Sequence, residues 1–210
     1  MTSVDNLTMI DSLTGPLKRA SFLLSAVAIA SLLALTGCDS KPEIIKISGT
    51  KMGTTYHVTV VADQPAPDDL AERIDAALSE IDQSMSTYKA DSEITRFNDL
   101  AVDQLLAISP EFSDVLTLSQ TIWQQTDGAF DPTVGPLVDL WGFGAVPTED
   151  VVPSDSQIAD AMTSIGLQYL HQDGQMISKL KPIRLDLSAV AKGYGVDQVA
   201  NLLEMLALPD

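Results

Sequence analysis

Four stretches of this chain concentrate residue types that could do chemistry: "GTKMGTTY" (49–56), "MSTYKADSEITRFN" (85–98), "TDGAFDPTVGPLVDLWGFG" (126–144) and "RLDLSAVAKGYGVD" (184–197). Glycines in such stretches let a backbone approach a ligand closely, while carboxylates, hydroxyls and rings can hold it. The third packs four glycines, two prolines and three bulky aromatics into nineteen residues, with Asp127, Asp131 and Asp139 between them. That density of Gly and Pro predicts an irregular loop, either a packed connector or the wall of a ligand site. Taken singly, each stretch also has a plain structural account. They are, in order, a β-bulge, a helix-to-helix turn, an ordered loop and a strand-to-helix turn.

Several familiar sites are excluded. "AKGYG" places its lysine before its glycines and is no Walker loop, and the dinucleotide fingerprint G-x-G-x-x-G is absent. No G-x-S-x-G elbow exists for a serine hydrolase. His57 and His171 fall in predicted strands without the spacing of a zinc pair. The formal charge of −17 repels nucleic-acid phosphates and predicts no nucleic-acid partner. A phosphate-bearing ligand would need a metal ion or a local lysine in so acidic a protein.

The elements that must position these stretches are legible from periodicity. Residues 41–50 and 54–62 read as two strands flanking "KMG", with Tyr56, Val58 and Val60 alternating against His57, Thr59 and Val61. Asp68 or Asp69 caps a helix with apolar residues Leu70, Ile74, Leu78, Ile81 and Met85. Ser92 caps a short second helix. Ser109 and Pro110 open a third, which buries Phe112, Val115, Ser119 and Ile122 and stops at Gly128. Ser154 or Asp155 caps a fourth, over 155–165, ended by Gly166. "QYLH" and "MISKL" form a hairpin on an Asp173-Gly174 turn, and "IRLDL" is one more strand. Ser188 caps a last helix carrying Val190, Val196, Val199, Leu203 and Leu206. Strands and helices mix without strict βαβ alternation, which predicts an α+β fold, a mixed sheet with packed helices.

The N-terminal residues read as an export signal. Lys18 and Arg19 precede eighteen uncharged residues, Ala20 to Gly37, and the run ends at the only cysteine, Cys38. Leu35-Thr36-Gly37-Cys38 resembles a lipobox, so 1–37 is expected to be a lipoprotein signal and Cys38 the lipidated residue. Met9 is the expected true start. Asp39 resembles an inner-membrane retention signal, which places the protein on the periplasmic side of that membrane, anchored by lipid. Residues 38–48 are then a tether and first strand, and 49–210 the functional domain.

Together, in this order and spacing, the four stretches resemble the ApbE family, the FAD:protein FMN transferases, from Gly49 to about Asp197. "GAFDPTVGPLVDLWGFG" and "DLSAVAKGYGVD" carry most of the likeness. The resemblance implies Mg²⁺-dependent cleavage of FAD and attachment of FMN to a threonine of a membrane redox subunit. The implied acceptors are subunits of Na⁺-translocating NADH:quinone reductase or the Rnf complex. It further implies that Met52 and Tyr88 contact the flavin and that Ala129, Phe130, Asp131 and Asp186 hold FAD. Ala189 is implied as a magnesium ligand through its backbone oxygen. Lys192 is implied beside the cofactor, where it neutralises the diphosphate and takes part in catalysis, with the helix start at Ser188 close by. The family continues past this chain's last residue, through Asp and Thr side chains that complete the magnesium site. The chain is therefore expected to be the N-terminal portion of a transferase, incomplete at its C-terminus and inactive alone. The other readings are a periplasmic FAD pyrophosphatase and a non-catalytic flavin-binding lipoprotein.

Overall fold

A computed structural model of the chain describes residues 42–145 and 152–208. The expected signal segment 1–37 and Cys38 lie outside the described residues.

Alternating side chains build a hairpin first. β1 (Glu43–Lys51) pairs antiparallel with β2 (Thr54–Ala62), with Lys51 opposite Thr54. Tyr56, Val58, Val60 and Ala62 turn inward, and His57, Thr59 and Val61 face out, as period two requires. The connecting loop is Met52 and Gly53, at φ 54° and 71°. Positive φ at both positions matches the twist of the strands, and Asn-Gly is its usual sequence. A methionine there is strained, and the fold holds it in place.

α1 (Leu70–Met85) buries the stripe Leu70, Ile74, Leu78, Ile81 and Met85. Its cap Asp69 makes no capping bond and instead pairs with Arg73 at 2.9 Å. Ser92 opens α2 (Glu93–Asp99) by accepting the Thr95 N–H, and Ser109 opens α3 (Pro110–Gln125) by accepting that of Phe112. Phe112, Val115 and Ser119 are buried on α3, with Ile122 half-buried. Beyond α3, Gly128 takes φ 79°. The next stretch corrects the expectation of a wholly irregular loop, because α4 (Gly135–Leu140) forms within it. Pro136 falls in the first turn of α4 and Gly142 just past its end, so neither interrupts the helix interior. Ser154 and Gln157 then form a capping box at the start of α5 (Asp155–Met162).

β4 (Leu170–Asp173) and β5 (Met176–Lys179) form the expected hairpin, though its two-residue loop is Gly174-Gln175, one position later than predicted. A two-residue strand that the sequence did not signal, β3 (Leu106–Ala107), pairs with the other edge of β5. Among the described residues both sheets are antiparallel, and one isolated parallel bridge joins Val134 to Arg184. The architecture is α+β, as expected.

"IRLDL" is not a strand. Ile183, Leu185 and Leu187 are buried in alternation, which mimics one, but Arg184 makes only the isolated bridge. The segment's backbone bonds go elsewhere. Asn98 accepts the Leu185 N–H at 2.7 Å and donates to its carbonyl at 3.0 Å, and Asp186 N–H reaches the Pro132 carbonyl at 2.7 Å. Lys179 donates to the Ile183 carbonyl at 3.2 Å. With its polar groups already satisfied by side chains and a loop, the segment has little to offer a neighbouring strand.

α6 (Ser188–Met205) follows, and Ser188 is its first helical residue rather than its cap. Asp186 takes the capping task by accepting the Ser188 N–H at 2.8 Å. Val199 is buried and Val190, Leu203 and Leu206 are half-buried, but Val196, expected inside, is 69% exposed. Four residues from Lys192, Val196 shares its outward face, while Gly195 and Val199 point inward. Two cores result. Phe97, Phe112, Leu116, Ile177, Leu185 and Leu187 belong to one, and Val60, Ile74, Leu78 and Val199 join the hairpin, α1 and α6 in the other.

Candidate functional site

A cavity of about 500 Å³ lies where the β1–β2 turn, the end of α1 and the first turns of α6 meet. Met52 enters it from the hairpin apex, Tyr88 from the segment after α1, and Lys192 from α6. The strained turn aims Met52 across α6, and a Cβ built on Gly195 would sit 3.6 Å from its sulfur and 3.3 Å from Leu78. The sulfur is at ordinary contact distance from that position, and the tighter approach there is to Leu78. Lys51 braces the same turn against α1 through Asp75 at 3.0 Å and Ser79 at 3.0 Å.

The Tyr88 segment is held by its own hydroxyls. Ser92 donates to the Ser86 carbonyl at 2.7 Å, and Thr95 donates to that of Lys89 at 2.8 Å. Tyr88 itself remains 69% exposed and donates its hydroxyl to the Phe143 carbonyl at 3.3 Å. Of the two lysines that line the cavity, Lys89 is occupied by Asp82 at 2.8 Å. Lys192 has no ion-pair partner among the described residues, so it is the cation available to a ligand. Phe143 also lines the cavity; it lies within the string that carries the family likeness but is not among the residues that the likeness implies touch FAD. The signal that would have found it is an aromatic residue between two glycines, Gly142 and Gly144.

The other expected site residues gather in an adjoining seam and do not line this cavity. Ala129 and Phe130 follow α3, and the Phe130 N–H donates to the Thr126 hydroxyl at 3.1 Å. The Asp131 carboxylate accepts from Thr133, through its N–H at 2.8 Å and its hydroxyl at 2.6 Å, and from the Leu167 N–H at 3.3 Å. The Thr133 hydroxyl in turn accepts the Gly166 N–H at 2.7 Å. Asp131 is therefore a strong organiser of its loop, whatever else it touches. The Asp186–Pro132 hydrogen bond and the Val134–Arg184 bridge lay this loop beside the approach to α6. Ala189 is the second residue of α6 and is exposed.

Magnesium favours six oxygen ligands, commonly one or two carboxylates with phosphates and water. Among the described residues no three His, Cys, Asp or Glu side chains stand close enough together to hold a metal, so they do not form such a site by themselves. His57 and His171 are exposed on separate strands, as expected.

The arrangement can seat a flat ring against a thioether and a phenol, with a cation alongside for an anionic group. The sequence and the fold are similar to those of known flavin transferases. The family model described as "ApbE family" matches residues 52–208. The FAD:protein FMN transferase of Vibrio cholerae is 41% identical over 181 residues, covering 85% of this chain and 54% of that protein. Its counterpart in Haemophilus influenzae is 39% identical over 189 residues, covering 86% and 55%. Among solved structures, the flavin transferase ApbE from Vibrio cholerae superposes with a TM-score of 0.77 at 38% identity, covering 80% of this chain and 55% of that one. The apo flavinyl transferase ApbE of Pseudomonas stutzeri gives 0.75 at 34%, covering 80% and 55%. The chain thus spans about half the length of the curated relatives it matches.

Proposed function

This chain belongs to the ApbE family, and we propose that it carries the flavin-holding part of an FAD:protein FMN transferase. The observation that carries this reading is the meeting of Met52, Tyr88 and Lys192, from three separate elements, around one cavity. Its volume, about 500 Å³, lies within the range of cofactor pockets, roughly 300–1,000 Å³.

In this reading Met52 and Tyr88 receive the isoalloxazine ring. Lys192 meets the diphosphate, its charge opposing the negative charge that grows as the phosphate bond breaks. The dipole of α6 favours an anion at the same end of the helix, although Asp186 already accepts the Ser188 N–H and the Leu187 carbonyl accepts those of Val190 and Ala191. Asp131 and Asp186 keep the loop and the helix start together, while Ala129 and Phe130 extend the wall toward the rest of FAD. The acceptor is a threonine on a subunit of Na⁺-translocating NADH:quinone reductase or an Rnf-type complex. Its oxygen forms a phosphoester to FMN as the bond to AMP breaks, and AMP and one proton are released. Holding the two reactants in line supplies much of the rate. Magnesium belongs to the proposal through the Ala189 carbonyl alone, and the roles assigned to these side chains do not pass through the ion. Lipidation of Cys38 and placement on the periplasmic side of the inner membrane complete it, keeping the enzyme near its membrane acceptor.

The test is incubation of a full-length version, extended to the length of the relatives, with FAD, Mg²⁺ and a purified acceptor subunit. Covalently fluorescent acceptor supports the transferase reading. Free FMN and AMP identify a pyrophosphatase, and unchanged FAD at saturating binding identifies a flavin carrier. Lys192→Ala should weaken binding or transfer by roughly tenfold to a hundredfold without moving the melting temperature, since the side chain is exposed.

A further inference from the structure

We propose that Phe143 is a positioning residue for the flavin, supplying a second aromatic face beside Tyr88 on which the planar ring stacks. The proposal rests on the flavin reading of the cavity, and its carrier is the way the chain mounts this ring. After α4 the Gly142 N–H bonds the Asp139 carbonyl at 3.0 Å and the Phe143 N–H bonds that of Val138 at 2.9 Å. Gly142 is left-handed, with φ 79°. This is the Schellman ending of a helix, in which the residue after the glycine commonly packs back on the last turn. Phe143 does not stay covered. It is 75% exposed, at the edge of the cavity that also holds Met52 and Tyr88.

Its backbone, by contrast, is fixed from several sides. Tyr88 donates to the Phe143 carbonyl at 3.3 Å. Asp139, which pairs with Arg184 at 2.7 Å, lies so close to Gly144 that any Cβ there would collide with its carboxylate. A large apolar ring held outward on a rigid loop keeps low the cost of ordering its backbone before a ligand arrives. The chemistry that recognises such a mount is a flat, polarisable ring, because stacked aromatic faces gain beyond the area they bury.

The experiment compares Phe143→Ala and Phe143→Tyr with the wild-type chain, titrating FAD and, separately, ADP, which lacks the flavin ring. Phe143→Ala should raise the Kd for FAD roughly three- to tenfold, leave ADP binding unchanged and reduce the visible circular dichroism of bound flavin. Phe143→Tyr should restore all three. If Phe143→Ala binds FAD as the wild type does while Tyr88→Ala does not, the role of Phe143 is wrong and the flavin site stands. If Phe143→Ala keeps FAD affinity and loses only transfer to an acceptor, the ring belongs to acceptor docking and the proposal is overturned. Failure of the wild-type chain to bind FAD overturns both readings together.

Discussion

Lys179 is a buried lysine, only 2% exposed, with no carboxylate in ion-pair range among the described residues. Its ammonium donates to the carbonyls of Phe97 at 3.1 Å, Asn98 at 2.9 Å and Ile183 at 3.2 Å. It thus closes the C-terminal end of α2, where a cation suits the helix dipole, and ties that end to the segment leading into α6. Lys179→Met keeps the length and removes the donors. The Phe97 carbonyl retains the Leu100 N–H, so two carbonyls, Asn98 and Ile183, lose the partner that the structure gives them. Each orphaned acceptor costs about 1–3 kcal/mol, and relief of burying a charge returns part of that, leaving a loss of about 2–4 kcal/mol. Urea unfolding followed by far-ultraviolet circular dichroism measures it. Burial holds the Lys179 pKa below the ordinary value of 10.5, Asp99 working against the shift and Arg184 with it. Between the folded and unfolded values the unfolded chain holds a proton that the folded chain lacks, so stability there rises with pH. The gap between wild type and variant should therefore widen from neutral pH toward the ordinary lysine value. A loss below about 0.5 kcal/mol would refute the anchoring role, and a gap that narrows with pH would refute the electrostatics.

Three further outcomes follow from the same geometry. Met52→Asn should change stability by less than about 1 kcal/mol, relief at the left-handed turn offsetting lost packing, while FAD affinity falls roughly two- to tenfold in a fluorescence titration. Gly144→Ala should cost about 1–3 kcal/mol in thermal unfolding and weaken FAD, because its Cβ would drive Asp139 away from Arg184; unchanged melting and affinity would show that this contact does not hold the loop. Asp131→Ala should cost about 1–3 kcal/mol, with Asp131→Asn losing less since an amide oxygen can still accept from Thr133. Equal stability of all three chains would remove the organising role of Asp131.

What the sequence revealed follows how local each signal is. Ser92, Ser109 and Ser154 announce helix starts because the bond that makes a cap lies within three residues of it. "IRLDL" misleads for the complementary reason. Alternating burial shows that a segment is extended between two environments, but Asn98 and Pro132, far away in sequence, decide where its hydrogen bonds go. α4 was hidden because its Gly and Pro residues suggest disruption until their positions at the helix ends are known. The candidate site divides in the same way. Spacing alone could not bring residues 52, 88 and 192 together; likeness to a family did, and packing places them around one cavity. That likeness also nominated Asp131 and Asp186, whose carboxylates bond backbone N–H groups of their own loop and helix start. An aspartate that organises a loop and one that touches a ligand look the same in sequence.

Charge gives the site its logic. Twelve basic residues against twenty-nine acidic ones leave the chain at −17, a poor surface for an anionic ligand. Salt limits the reach of that repulsion to about 8–10 Å, so distant carboxylates matter less than the groups lining the cavity. Lys51, Lys89 and Arg184 are each engaged by a carboxylate, Asp75, Asp82 and Asp139, and so serve as struts. Lys179 spends its charge on three carbonyls. Lys192 is left in the cavity that Met52 and Tyr88 also line, within the first turns of α6. On the proposed reading, an acidic protein holds a dinucleotide by committing Lys51, Lys89, Lys179 and Arg184 to the fold and keeping Lys192 for the phosphates.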